Sequence, residues 1–327
     1  MQKIHKSGAK ALYSQVFQCS YLPNIIYLKP PFCQVENGAE NLYYLTMKKA
    51  LFLAKKSLGQ NFLRSKSALQ KIVEAADLKP EDVVLEVGPG EGILTEALLK
   101  SAGKVIAVEK DDRLIPLLQE KFASEISVGK FELIHADILD IELTTNNLQL
   151  TTRQNFFKKN LGGQAYKLIA NIPYYITGQL LRKFLESDFQ PSRMVLLLQK
   201  EVAKRIVASD NKESILSISV KAYGTPKYID TVKAECFTPK PKVDSAILLV
   251  ENISKSFFTS NNLDEKKFFE VLKKGFKSKR KILVGNLGIS NDPNLEKIMS
   301  DCGITKNTRA EDITLEQWGR ILLAFSV

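Results

Sequence analysis

The sequence predicts an α/β protein built on a mostly parallel, doubly wound sheet and ending in a small all-helical domain. Three observations carry that expectation. Residues Val83–Thr95 pass from an apolar β-branched run through three glycines into an amphipathic pattern, which reads as strand, tight loop and helix. Further short apolar runs, Val105–Val108, Phe131–His135, Lys167–Ala170 and Met194–Leu198, alternate with helical patterns as a parallel sheet requires. From Asp264 onward the period is helical alone, with Phe268, Phe269, Leu272 and Phe276 on one face and Leu315, Trp318, Ile321 and Leu322 on another.

At 327 residues the chain is long enough for one sizeable α/β domain and a smaller one. Hydrophobic content of 44% and charged content of 25% fit a soluble globular protein. No apolar run approaches a membrane span, since Leu45–Ala54 is broken by Lys48 and Lys49, so a cytoplasmic protein with no membrane partner is expected. The formal charge is +11, and basic residues cluster. No acid falls between Glu142 and Glu186, while Arg153, Lys158, Lys159, Lys167, Arg182 and Lys183 do, and a second cluster spans Lys273–Lys281. Such patches favour a polyanion over a merely solvated face. Cys19, Cys33, Cys236 and Cys302 form no C-x-x-C pair, which suits a reducing compartment and predicts no metal.

Taken in order, residues 1–46 show no helical or strand period. They read as a disordered extension or as sequence upstream of the true start, for which Met47 is the natural candidate. The segment contains no Arg, which argues against a transit peptide. Lys55–Leu63 is then a basic linker with an apolar anchor, whose Asn61, Phe62 and Leu63 are placed to fold over a ligand. Ser65 is the expected N-cap of a helix that buries Leu69, Ile72 and Val73, with Pro80 beyond its end.

In the loop that follows, Gly88, Gly90 and Gly92 allow φ > 0 and close approach of a ligand to the main chain, although a glycine-rich turn alone is often only a turn. Dinucleotide folds and methyltransferases both use such a loop, and the acids decide between them. Glu86 beside the loop repels a pyrophosphate and suits a cationic group, such as the amino acid portion of S-adenosylmethionine. Glu109, at the end of the next strand, is placed to accept from a ribose diol. Asp137, at the end of the third, is placed to accept from an adenine amine. Ile93, Leu94, Ala97 and Leu98 make the inner face of the intervening helix, ending near Gly103.

Residues 143–165 interrupt the alternation as an inserted loop. The strand after it runs into Asn171-Ile-Pro-Tyr174, where Pro173 holds Ile172 extended and presents the Asn171 amide and the next carbonyls at the strand end. An adenine amine is a poor nucleophile because its lone pair is delocalised into the ring. Accepting its two hydrogens on the Asn171 side-chain oxygen and the Ile172 carbonyl would favour a pyramidal nitrogen, with Tyr174 stacked on the base. Further on, Phe237 begins a loop stiffened by Pro239 and Pro241 and is a candidate to oppose Tyr174 across a flipped base. A strand over Val243–Val250 follows.

Gln60-Asn-Phe-Leu63, Glu86-Val-Gly-Pro-Gly-Glu-Gly92, Asn171-Ile-Pro-Tyr174 and Phe237-Thr-Pro-Lys-Pro-Lys-Val-Asp-Ser245 together resemble the ribosomal RNA adenine dimethyltransferases of the KsgA/RsmA group. The resemblance runs from about Met47 to the C-terminus. It implies a Rossmann-like class I methyltransferase fold and S-adenosylmethionine-dependent N6,N6-dimethylation of two adjacent adenosines in the 3′-terminal hairpin of small-subunit (16S) rRNA, within a precursor subunit. By carry-over, cofactor contacts fall on Asn61, Leu63, Gly88, Glu109, Asp137 and Asn171, with Glu86, Gly90 and Gly92 added from the loop chemistry. The catalytic group is then Asn171, Ile172, Pro173, Tyr174 and Phe237. The inserted loop and the N-terminal segment depart from the pattern without touching a motif.

The division expected is a methyltransferase domain over 47–254 and a helical RNA-binding domain over 255–327, acting as a monomer. Lys277, Lys279, Arg280 and Lys281 are placed to contact phosphates. Three rival readings remain: a large-subunit rRNA methyltransferase conferring macrolide resistance, a DNA adenine methyltransferase, and a nucleic-acid-binding transcription factor that keeps the fold without turnover.

Overall fold

Runs rich in Val, Ile and Leu become strands because branched side chains pack well on a pleated surface, and seven of them pair into one sheet. In this computed structural model the described residues are 54–55, 58–141 and 164–325. The expectations for residues 1–46 and for 143–163 of the inserted loop lie outside them. The strands are β2 (Val83–Val87), β3 (Lys104–Glu109), β4 (Phe131–His135), β5 (Tyr166–Asn171), β6 (Arg193–Gln199), β7 (Thr225–Val232) and β9 (Ser245–Glu251), in the spatial order β4-β3-β2-β5-β6-β9-β7. Pairings from β4 across to β6 are parallel, and β9 runs antiparallel to both β6 and β7. A separate ladder pairs β1 (Phe62–Leu63) with β8 (Phe237–Thr238).

Strand alternation sorts the core into two faces. Val84, Val105, Ile169 and Val195 face one side, beneath α1 (Lys66–Ala76), α2 (Ile93–Leu99) and α3 (Ile115–Lys121). Leu85, Ile106, Leu168 and Leu196 face the other, beneath α5 (Thr177–Leu185), which follows the short α4 (Ala123–Ser127). Ser65 caps α1 as the sequence predicts, its hydroxyl accepting from the Ala68 N–H at 3.2 Å. In α2 the buried positions are Leu94, Thr95, Leu98 and Leu99, whereas Ile93 turns toward the strand ends and lines a cleft there.

Beyond β6 come α6 (Lys200–Val207) and α7 (Ile215–Lys221), and after β9 come α8 (Ser256–Ser260), α9 (Glu265–Gly275), α10 (Leu283–Leu287), α11 (Leu295–Cys302) and α12 (Leu315–Phe325). Phe258, Phe268, Leu272 and Trp318 belong to the same apolar core as Phe184 and Leu248, so this helical region packs on the sheet. Trp318 closes over Gly275, where a Cβ would lie 2.3 Å from its ring. Among the described residues no helix is long and apolar enough to cross a membrane.

The sheet positions the site. From β2 the chain crosses outward to β3 and β4, and later returns to β5 on the other side of β2. The strand order therefore reverses between β2 and β5, leaving a crevice at their carboxyl ends, where open α/β sheets bind ligands.

Candidate active site

The crevice is lined by the glycine loop after β2, by Glu109 and Asp137 after β3 and β4, by Asn171–Ile176 after β5, and by residues 58–63 folded across from the N-terminal side. Glycine makes the loop possible. Gly88 and Gly90 have φ of +71° and +58°, and a Cβ on Gly90 would sit 3.0 Å from the Phe62 ring. Gly92 does not line the crevice, which corrects its reading as a cofactor contact. Its φ is +75° and a Cβ there would lie 2.6 Å from the Phe122 ring, so it serves close packing of α2 against α3.

Glu86 is also corrected. Alternation along β2 turns it to the same face as Val84, away from the crevice. It is 1% exposed, and neither carboxylate oxygen has a hydrogen-bond partner among the described residues. Burial pushes its pKa up to about 8; the nearby Thr95 hydroxyl, itself without a partner in hydrogen-bond geometry, opposes the rise.

Glu109 does reach the crevice. Its Oε2 accepts from the Gly90 N–H at 3.1 Å and its Oε1 from the Asp111 N–H at 2.8 Å, which fixes the carboxylate and leaves further lone pairs. Burial raises its pKa against the pull of those two N–H groups. Asp137 lines the crevice too, accepting from the Leu139 N–H at 2.9 Å and pairing with Lys110 at 2.5 Å. Burial pushes its carboxyl up, but the Lys110 hydrogen bond and the Leu139 N–H outweigh that and hold it below its ordinary value.

Asn171 is the last residue of β5, and its Nδ2 donates to the Asn61 carbonyl at 3.1 Å. A backbone carbonyl only accepts, so the NH2 end must face it and Oδ1 is left for another donor. Ile172 is 2% exposed, donates its N–H to the Leu197 carbonyl at 3.3 Å, and keeps its own carbonyl without a donor among the described residues. Pro173 (φ −56°) leads into the 3-10 turn Tyr174–Ile176, and the Tyr174 hydroxyl lies 2.8 Å from the Ser245 Oγ at the start of β9.

Phe237 is the third correction. Paired opposite Leu63 in the β1–β8 ladder, it is 4% exposed and packs in the core, so it does not face Tyr174 across the crevice. Leu63 is buried in the same ladder but also lines the crevice.

Several residues at the site escaped the sequence. Gln60 donates to the Asp111 carboxylate at 2.8 Å and accepts from the Lys55 N–H at 2.7 Å, tying Lys55 and Gln60 to the turn after β3. Asp111 is 1% exposed and is held well below the usual carboxylate range, chiefly by Arg113. The signal available was Glu109-Lys-Asp-Asp-Arg113, three acids around two cations just past a strand end. Tyr175 and Ser245 were missed as well.

Lys277, Lys279, Arg280 and Lys281 occupy a turn after α9, not a helix face, and all are exposed. The turn is pinned from below, where Asn286 Nδ2 donates to the Gly275 and Ser278 carbonyls at 2.7 and 3.0 Å. None of the four pairs with a carboxylate among the described residues. The first basic cluster differs: Lys167 bonds Asp82 at 2.7 Å, Arg182 bonds Glu186, and Lys183 bonds the Leu139 carbonyl at 2.9 Å.

Comparison with known proteins matches this geometry to a family. The sequence model of the ribosomal RNA adenine dimethylase family matches residues 51–326. A relative from Dehalococcoides mccartyi, named ribosomal RNA small subunit methyltransferase A, is 42% identical over 277 residues, 84% of this chain and 89% of that one. Among solved structures, a dimethyladenosine transferase from Plasmodium falciparum superposes with a TM-score of 0.62 at 25% identity, covering 81% of this chain and 97% of that one. The 23S rRNA methyltransferase ErmE shares the fold, with a TM-score of 0.63 at 24% identity over 82% of this chain and 100% of that one. A family match over nearly the whole described chain, together with 42% identity to a named member, means that the chain belongs to the ribosomal RNA adenine dimethylase family.

Proposed function

We propose that this enzyme dimethylates N6 of two adjacent adenosines in the 3′-terminal hairpin of small-subunit rRNA, acting on a precursor subunit in the cytoplasm as a monomer without a metal ion. S-adenosylmethionine supplies an electrophilic methyl group when bound. The residues present fit it: a fixed carboxylate with spare lone pairs at Glu109, a second acid at Asp137, and backbone exposed by Gly88 and Gly90 where side chains would intrude. In this reading Glu109 takes the ribose hydroxyls, Asp137 the adenine amine, and Asn61 and Leu63 close the site, with Lys110 moving from Asp137 as the adenine arrives.

The observation that carries the chemistry is the hydrogen bond from Asn171 to the Asn61 carbonyl. It aims Oδ1 as an acceptor, and the Ile172 carbonyl supplies a second, so both hydrogens of an adenine amine can be taken. The nitrogen lone pair is then freed from the ring for attack, and the proton passes to water once the C–N bond has formed. Tyr174, held through Ser245, packs on the base. Residues 47–254 carry this chemistry and 255–327 the helical RNA-binding part, where Lys277, Lys279, Arg280 and Lys281 meet phosphates.

Incubating the protein with precursor small subunits and labelled cofactor, then mapping methylated adenosines, is the test. Dimethylation at two adjacent adenosines is expected. Preferential modification of naked large-subunit RNA would replace the reading with the macrolide-resistance one.

A further inference from the structure

Tyr174 and Tyr175 are neighbours in sequence but differ in surroundings. Tyr174 is drawn inward by Ser245, whereas Tyr175 is 59% exposed and is the one exposed Phe, Tyr or Trp ring among the described residues. It stands at the lip of the same crevice. Among the described residues its hydroxyl has no hydrogen bond and its ring packs on no other aromatic ring. Nor does the ring hang on a loose segment. The turn carrying it is stiffened by Pro173 and by the Thr177 hydroxyl, which donates to the Tyr174 carbonyl at 3.1 Å, and one ring edge lies against Gly59, where a Cβ would be 3.4 Å from the Tyr175 Cδ1.

We infer that Tyr175 is a stacking platform for the nucleobase that flanks the target adenosine in the RNA. The inference rests on the reading of the crevice as an adenine-methylating site and extends it to a second nucleotide. An enzyme that takes a base out of the stack breaks that base's contacts with its neighbours. A pre-positioned ring at the mouth restores one of them, and does so for any base, because every base has a π-face. The hydroxyl is not needed for this, so the platform contributes to RNA binding without selecting sequence by hydrogen bonds and without touching the cofactor.

The test uses the full chain and an rRNA hairpin with 2-aminopurine in place of the nucleotide next to the target, whose fluorescence is quenched on stacking. The parent protein quenches it. Y175A loses the quench and raises KM for RNA by about 5-fold to 150-fold, the range that loss of one base–aromatic stack implies, while cofactor affinity and melting temperature stay unchanged. Y175F, which keeps the ring, restores the quench and the KM. An unchanged quench and KM in Y175A overturn the proposal. A Y175F variant as impaired as Y175A overturns it too, because the hydroxyl would then be the operative group. Quenching requires no turnover, so a parent protein that stacks the probe but methylates no rRNA refutes the functional reading and leaves the platform standing.

Discussion

Replacing Asn171 by Ala tests the proposed separation of binding from chemistry, because the side chain makes one contact in the free protein and is proposed to make a second, of a different kind, with the target amine. Its Nδ2 donates to the Asn61 carbonyl at 3.1 Å in the free protein, and losing that bond costs about 0.5–1.5 kcal/mol of stability. For a domain of this size such a loss lowers Tm by a few degrees, roughly 2–4 °C per kcal/mol. The proposed Oδ1 contact is of the other kind. It strengthens as the amine pyramidalises, so its loss falls on kcat by on the order of 100-fold to 1,000-fold. Asn171→Asp is the companion variant: it keeps an acceptor toward the crevice but sets a carboxylate oxygen against the Asn61 carbonyl, and it too should fail. Single-turnover assays on unmodified precursor subunits at saturating S-adenosylmethionine isolate the chemical step, with circular dichroism as the folding control. Methylation by Asn171→Ala at the parental rate would refute the mechanism and favour the nucleic-acid-binding-factor reading.

Three further outcomes are expected. Glu109→Ala should weaken S-adenosylmethionine binding by roughly 1–3 kcal/mol in a calorimetric titration, since a fixed acceptor is lost; an unchanged Kd would remove Glu109 from the cofactor site. Glu86 has a folded pKa of about 8 against an ordinary 4.5, so the folded protein holds a proton that the unfolded chain releases, and this carboxyl lowers stability progressively as pH rises from 4.5 to 8. Glu86→Gln should remove that loss, worth roughly 3–5 kcal/mol at pH 8 and little near pH 5, and urea unfolding with parallel pH profiles for parent and variant would contradict it. Replacing Lys279, Arg280 and Lys281 together by Ala should reduce the slope of log K against log[salt] for RNA by about 2–3 without changing cofactor affinity, and an unmoved slope would leave the turn as plain solvated surface.

How much of this was legible depended on whether a signal was local. The parallel strands and the glycine loop announce themselves through apolar runs and φ > 0 positions that lie close together in sequence. Strand β7 did not: at the sheet edge it carries Pro226 and alternates exposed with half-buried side chains, which an edge tolerates and a sequence pattern hides. Asn171 was legible because Pro173 fixes the backbone beside it. Glu86 and Phe237 were misplaced for one common reason. Each opens a motif, but its direction is set by strand alternation or by pairing with a distant segment, and a one-residue offset turns a side chain to the opposite face.

The same logic explains why residues 58–63, part of a stretch that read alone as a basic linker, line the crevice. Neither Asn61 nor Gln60 has a local partner that defines it as functional. What matters is that Gln60 is bound to Asp111, that the Asp111 N–H is bound to Glu109, and that Glu109 is bound to the Gly90 N–H. One residue on from Gln60, the Asn61 carbonyl orients Asn171, and after it β1 pairs with β8 just ahead of the strand that begins at Ser245, the partner of Tyr174. The segment thus ties Glu109, the acid proposed to face the cofactor, to Asn171, the amide proposed to face the target base. Displacing it would loosen both together, so cofactor affinity and the methylation rate at saturating cofactor are linked through one short stretch that makes no contact with RNA bases in the proposed mechanism.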